Sequence, residues 1–273
     1  MSSSDRRERW AALLGLGATA AVSICTLWLA VTGGLGLYIN PRYLVFTVAL
    51  AAIAVPASVA AVVVVLTRGG AVHDHDHDAT PEPQGREARG RSARVARDLG
   101  AGIAAVAVVA VTLAMLVLPP ATLSARTAEQ RAVNAGSLTS ATGGSGDAAA
   151  TLLGAGTTDT RGFGVKDWAA AIRQTTDTSA LTGRTLTLTG FVVRSGSTDS
   201  FTLTRFVISC CAVDAQPVGV VVLAGSGALP DSDAWVRVTG SLVSNPDASS
   251  GDRLVVRPAS ITPVAQPKDP YEY

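Results

Sequence analysis

YLVFTVALAAIAVPASVAAVVVVLT, residues 43–67, contains no charged side chain, and a helix of that length has no polar face to turn toward water. About 20 apolar residues suffice for a helix to cross a hydrocarbon core about 30 Å thick, so the run reads as a membrane span. Pro56 lies inside it, removing one backbone donor, which membrane helices tolerate when neighbours satisfy the freed carbonyl. The same test applies on either side. Residues 10–39 and 99–125 are also free of charge. The sequence therefore predicts transmembrane helices at 12–32, 43–66 and 100–118.

Composition agrees. Of 273 residues, 48% are hydrophobic and only 16% charged, against about 25% charged in soluble domains. Mean hydropathy is +0.33. The formal net charge of +1 gives no basic excess, so no nucleic-acid partner is expected. Arg6, Arg7 and Arg9 before the first run resemble a signal-peptide n-region. That run, however, exceeds the usual h-region of about 7–15 residues, and two further spans follow. Nor does Val22-Ser23-Ile24 before Cys25 fit a lipoprotein signal. A retained anchor is expected.

Short-loop arginines set the orientation. They flank the first span at Arg6, Arg7 and Arg9 and fill the loop 67–98 with Arg68, Arg86, Arg89, Arg91, Arg94 and Arg97, whereas the loop 33–42 has only Arg42. The N-terminus and the loop 67–98 are then cytoplasmic, and everything after Pro119 is extracytoplasmic. The expected organisation is a membrane region at 1–118, an exit segment and flexible tether at 119–160, and an extracytoplasmic domain at 161–273. Pro119 and Pro120 end the third helix. The stretch 134–160 is mostly Ala, Gly, Ser, Thr and Asp, too polar and small to offset its ordering entropy.

Beyond it, Val165, Trp168, Ala169, Ile172 and Arg173 recur at helical spacing and predict one short amphipathic helix. The period then changes to that of strands. Five β-rich runs, at 186–193, 201–209, 218–223, 235–243 and 254–261, are separated by Gly, Ser, Asp and Pro clusters. Five strands in a domain of this size suggest a small barrel. The fold class expected is thus a membrane α-helical region of three transmembrane helices plus a small all-β, OB-like C-terminal domain with one short helix.

Candidate chemistry is concentrated at two places. His73, Asp74, His75, Asp76, His77 and Asp78 alternate strictly and hold every histidine of the chain. Imidazole and carboxylate both ligate divalent metals, so this cytoplasmic loop is a candidate for loose capture of zinc or another divalent transition metal, against a plain solvated linker. Cys210 and Cys211 are adjacent at the end of the 201–209 run, where a regular strand would bury one thiol and expose the other. They read as small apolar fillers, a redox or disulfide element, or a weaker metal-ligand pair, with Asp214 and Gln216 nearby and Pro217 suggesting a turn. Cys25 within the first span is a small apolar residue, and Arg205 is either a pocket charge or part of a solvated strand face. Sequence patterns for phosphate cradles, dinucleotide sites and common hydrolases are lacking, and the extracytoplasmic part has no histidine, so no catalytic residue or enzymatic activity is expected.

The stretch TRFVISCCAVDAQPVGV at 204–220 resembles the signature of the YcgQ-like permease-subunit family of bacterial membrane proteins. Tyr38-Ile39-Asn40-Pro41, the His-Asp tract, the exit segment 119–134 and the strand 235–240 are similar too. The resemblance implies an integral membrane protein with a C-terminal β-domain, partnered with a multi-helix permease, some members being tied to zinc limitation. The third hydrophobic span and the long tether depart from the commonest family pattern. Together these readings lead us to expect a multi-pass protein of the cell membrane, contacting the lipid bilayer and a permease and acting as its accessory subunit in divalent-metal transport or homeostasis. A membrane-anchored OB-like binding module and a thiol-redox protein using the vicinal cysteines are the alternatives.

Overall fold

The computed structural model describes residues 3–67, 106, 109–114, 117, 121–132, 160–175, 177–194, 196–224, 227–247 and 250–273. The chain divides into two compact units, residues 1–36 with 41–120 and residues 37–40 with 121–273.

In the first unit, helix α1 spans Ser3–Val31 and helix α2 spans Pro41–Thr67. Within them, Arg9–Val31 and Pro41–Thr67 are long and apolar enough to cross a bilayer. Proline at the first position of α2 is favoured because its missing N–H would have no helical acceptor there. The helix then continues unbroken through Pro56. Hydroxyls that would be costly in lipid turn back on their own backbone: Thr19, Ser23, Thr26 and Thr67 each donate to the carbonyl four residues earlier, at 2.8–3.0 Å. Trp10 and Trp28 are exposed near opposite ends of the α1 span. Their separation along the helix, about 27 Å, suits the two interfaces of a bilayer. Of the third expected helix, residues 106, 109–114 and 117 are helical, and the rest of 100–118 lies outside the described residues. The His-Asp tract 73–78, the remainder of its loop 68–98, and the tether 135–159 also lie outside them.

The second unit contains helices α3 (Ala125–Ala132) and α4 (Val165–Gln174). Strands β1 (Thr185–Val193), β2 (Ser200–Val207), β3 (Gln216–Leu223), β4 (Trp235–Ser244), β5 (Leu254–Pro263) and the short β6 (Tyr271–Glu272) follow. Strand order is β1-β4-β5-β3-β2, and a β1–β2 pairing closes it into a five-stranded barrel, with β6 added on β2. All barrel pairings are antiparallel except β3–β5. This is an OB-like arrangement. Each of the five runs anticipated from alternation forms one strand, because inward positions such as Leu186, Leu188, Val236 and Val238 must be apolar while their neighbours face outward.

β1 closes the barrel by pairing with β4 over Thr185–Phe191 and with β2 over Phe191–Val193. Gly190 sits at this changeover, where a Cβ would come within 2.6 Å of the Thr204 carbonyl oxygen. Gly240 marks the register shift of β4 against β5, and a Cβ there would run into the Arg257 carbonyl. Trp168 of α4 plugs the interior with Leu181, Phe201, Leu203, Leu242 and Leu254. A second cluster joins Phe191, Phe206, Ile208 and Tyr271 to Ala125 and Ala128 of α3, with Leu37 packed against it. The Phe191 and Phe206 rings stack at 5.5 Å. Glu272 fastens the C-terminal strand to α4 by accepting the backbone N–H groups of Val165 (2.9 Å) and Lys166 (2.6 Å), two of the unpaired donors at the helix start.

Candidate functional site

The connection from β2 to β3, residues 208–215, carries both cysteines. β2 ends at Val207, so Cys210 and Cys211 stand in a tight turn rather than at the end of a strand running to 209. The strand-based expectation of one buried and one exposed thiol is thereby corrected: Cys210 is exposed and Cys211 partly exposed. Both are free thiols, with their Sγ atoms 3.5 Å apart. Pro217 is corrected as well. It belongs to β3, paired with Phe206, and is tolerated because β5 meets β3 only at Val222.

The turn is held by groups from three places. Within it, the Asp214 carboxylate accepts the N–H groups of Ser209 (3.2 Å), Cys210 (2.7 Å) and Cys211 (3.4 Å), while the Asp214 N–H donates to the Cys211 carbonyl. From α3, Arg131 donates to the carbonyls of Ala212 and Ala215. The remaining support comes from residues 38–40. Ile39 and Cys211 form an antiparallel bridge, with the Asn40 N–H donating to Cys210 O at 3.0 Å and the Ala212 N–H to Tyr38 O at 2.8 Å. The Asn40 side chain, nearly buried, donates to the carbonyls of Ile208 (3.0 Å) and Ser209 (3.1 Å). Two stretches remote in sequence, both prominent in the family resemblance, are thus one structural element.

This environment sets the chemistry of the turn. A hydrogen bond to the Asp214 carboxylate, then one to Cys211, pushes the Cys210 thiol up to about 11. Partial burial works to raise Asp214, but the Cys210 thiol and the amides of 209–211 outweigh it and hold the carboxyl below its ordinary range. Cys210 is therefore a thiol with a tightly held proton.

Asp214 is occupied by backbone amides and Gln216 is a strand residue. Among the described residues, no group of three or more His, Cys, Asp and Glu side chains is arranged to hold a metal ion. Arg205 is mostly buried, 3.6 Å from Glu272 and 5.1 Å above the Trp235 ring, tying β2 to β6 and β4. Cys25, in α1, is partly exposed.

Residues 166–273 match the DUF1980 C-terminal domain. The DUF1980-like region covers all of α4 but its first residue, together with the barrel, the dithiol turn and β6. It leaves out α3 and residues 38–40, which hold the turn from outside. No curated protein matches the chain.

Proposed function

We propose that the protein is a multi-pass accessory subunit of a membrane permease, acting in the transport or homeostasis of a divalent metal ion such as zinc. One observation carries the subunit reading over that of a merely tethered binding module. The barrel unit includes both segments that flank the apolar region 41–120, namely 37–40 on one side and 121–132 on the other. A domain that only needed a leash would have no use for this grip.

The same observation supports the topology. If residues 37–40 and 121–132 belong to one folded unit, the chain between them must leave and return to the same side of the bilayer. α2 supplies one crossing and the apolar stretch 100–118 the other. With Arg6, Arg7 and Arg9 keeping the N-terminus in the cytoplasm, the barrel is extracytoplasmic. The metal part of the proposal rests on the His73 to Asp78 tract, which this topology puts in the cytoplasm.

Two measurements test the reading. Affinity purification of the full-length protein from native membranes is expected to recover a multi-helix permease, and calorimetric titration with zinc is expected to show binding that is lost when His73, His75 and His77 are all changed to Ala. Recovery of no permease, together with unchanged cellular metal content on deletion, would overturn it.

A further inference from the structure

In the dithiol turn the N–H groups of residues 208–212 and the carbonyls of 208–212 are engaged, yet its two sulfurs are free thiols, 3.5 Å apart, with Cys210 open to solvent. We propose that Cys210 and Cys211 form a thiol–disulfide exchange site, whose oxidation by a disulfide substrate closes a vicinal disulfide and releases residues 38–40 from the barrel. The inference does not depend on a permease partner.

The reaction balances as a two-electron exchange. One cysteine gives its proton to solvent, and its sulfur attacks the substrate disulfide and displaces the first thiolate, which takes up a proton. The second cysteine then gives its proton to solvent, and its sulfur attacks the mixed disulfide and expels the second thiolate. Two cysteine thiols are oxidised, one substrate disulfide is reduced to two thiols, and the reverse reaction needs only a dithiol or two monothiols.

Coupling to residues 38–40 follows from geometry. A disulfide is about 2.05 Å long, so the sulfurs must approach by about 1.5 Å. Adjacent Cα atoms across a trans peptide are about 3.8 Å apart, short of the roughly 4.4–6.8 Å that disulfides span, so the 210–211 peptide must turn out of its present orientation. That peptide is where the segment docks: Asn40 N–H bonds to Cys210 O, and Ala212 N–H, on the far side of Cys211, bonds to Tyr38 O. The Asn40 amide fixes the two carbonyls just before it. Docking therefore favours the dithiol, and by reciprocity the disulfide favours release. An exposed, strained pair of this kind is of the readily reduced, regulatory or catalytic type rather than a structural staple.

The test uses full-length protein carrying Cys25→Ser, in detergent micelles, equilibrated with mixtures of reduced and oxidised glutathione. Peptide mass spectrometry reads the bridge as a loss of about 2 Da, two hydrogens given up by the pair. Hydrogen exchange reads docking at the Asn40 and Ala212 amides. We expect a reversible Cys210–Cys211 bridge, loss of protection at both amides on oxidation, and, in Asn40→Ala, a midpoint shifted about tenfold toward reducing mixtures, or about 30 mV for a two-electron couple. Asn40→Asp, which keeps the side-chain size but loses both donors, is expected to shift it in the same direction and serves if the alanine variant does not fold. Persistent glutathione adducts without a bridge, a bridge that leaves both amides protected, or an unmoved midpoint would each overturn the proposal.

Discussion

At pH 8 a thiol titrating at about 11 carries about a hundredth of the thiolate of one at its ordinary value of 9.0. Reaction with iodoacetamide proceeds through the thiolate, so Cys210 is expected to react slowly despite being exposed. Part of the deficit is offset, because thiolates of higher pKa are intrinsically more nucleophilic; with a Brønsted slope of about 0.45, two pH units return about eightfold. The net expectation is alkylation about tenfold slower than at an ordinary exposed cysteine. The carboxylate of Asp214 is the largest cause of the shift, so Asp214→Asn should recover most of that factor. The assay is a pH series from 7 to 11 on full-length protein carrying Cys25→Ser and Cys211→Ser, with modified peptide quantified by mass spectrometry. Removing Cys211 also removes the smaller contribution that its thiol makes, so the profile should rise steeply above pH 9 but bend slightly below 11. A Cys210 that alkylates at pH 8 like any exposed thiol, or an Asp214→Asn profile superimposable on its parent, would refute the reasoning.

Other consequences are measurable in the same protein. Glu272→Gln keeps one acceptor for the start of α4 but turns an amide toward the second N–H and toward Arg205, and should cost about 1–3 kcal/mol in urea unfolding followed by tryptophan fluorescence. Trp168→Ala empties the plug of the barrel and should cost about 3–5 kcal/mol by the same assay. The depressed pKa of Asp214 means that its contribution is present above the unfolded value of 3.8 and disappears as pH falls through the lower folded value. Amides 209–211 should then lose exchange protection in strong acid while the barrel strands keep theirs. Thr198→Cys, in an exposed turn of the barrel, should be labelled in intact cells by a membrane-impermeant maleimide if the barrel is extracytoplasmic.

The strands were legible because each buries alternate residues, and the α4 helix because Trp168 and Ile172 lie one turn apart. α3 was not. Its sequence, ARTAEQRA, buries only Ala125 and Ala128, too little apolar surface to stand out from an exit segment. The two-residue β6 is shorter than any pattern that sequence reading detects. At the dithiol turn, sequence gave the residues but not their setting: Pro217 read as a turn residue because its pairing with Phe206 is a long-range fact. The dependence of Cys210 on Asn40 has no local signal at all. Only the joint appearance of 38–41 and 204–220 in the family resemblance hinted that the two belong together.

The hydrogen bond from Asn40 to Ile208 joins residues 168 positions apart. A ribosome adding about 5–20 residues each second needs roughly 10–30 seconds to make that stretch, so in the proposed topology the helices on either side of Asn40 reach the bilayer before its acceptor exists. In that topology closure must wait for residue 208, and it can happen only if the number of crossings made meanwhile is even. A chain threaded wrongly would carry its barrel to the opposite side, leaving Asn40 without its carbonyls and the turn without its clamp. In the proposed topology the contact would thus separate correctly threaded chains from misthreaded ones, a check made by the finished protein on itself.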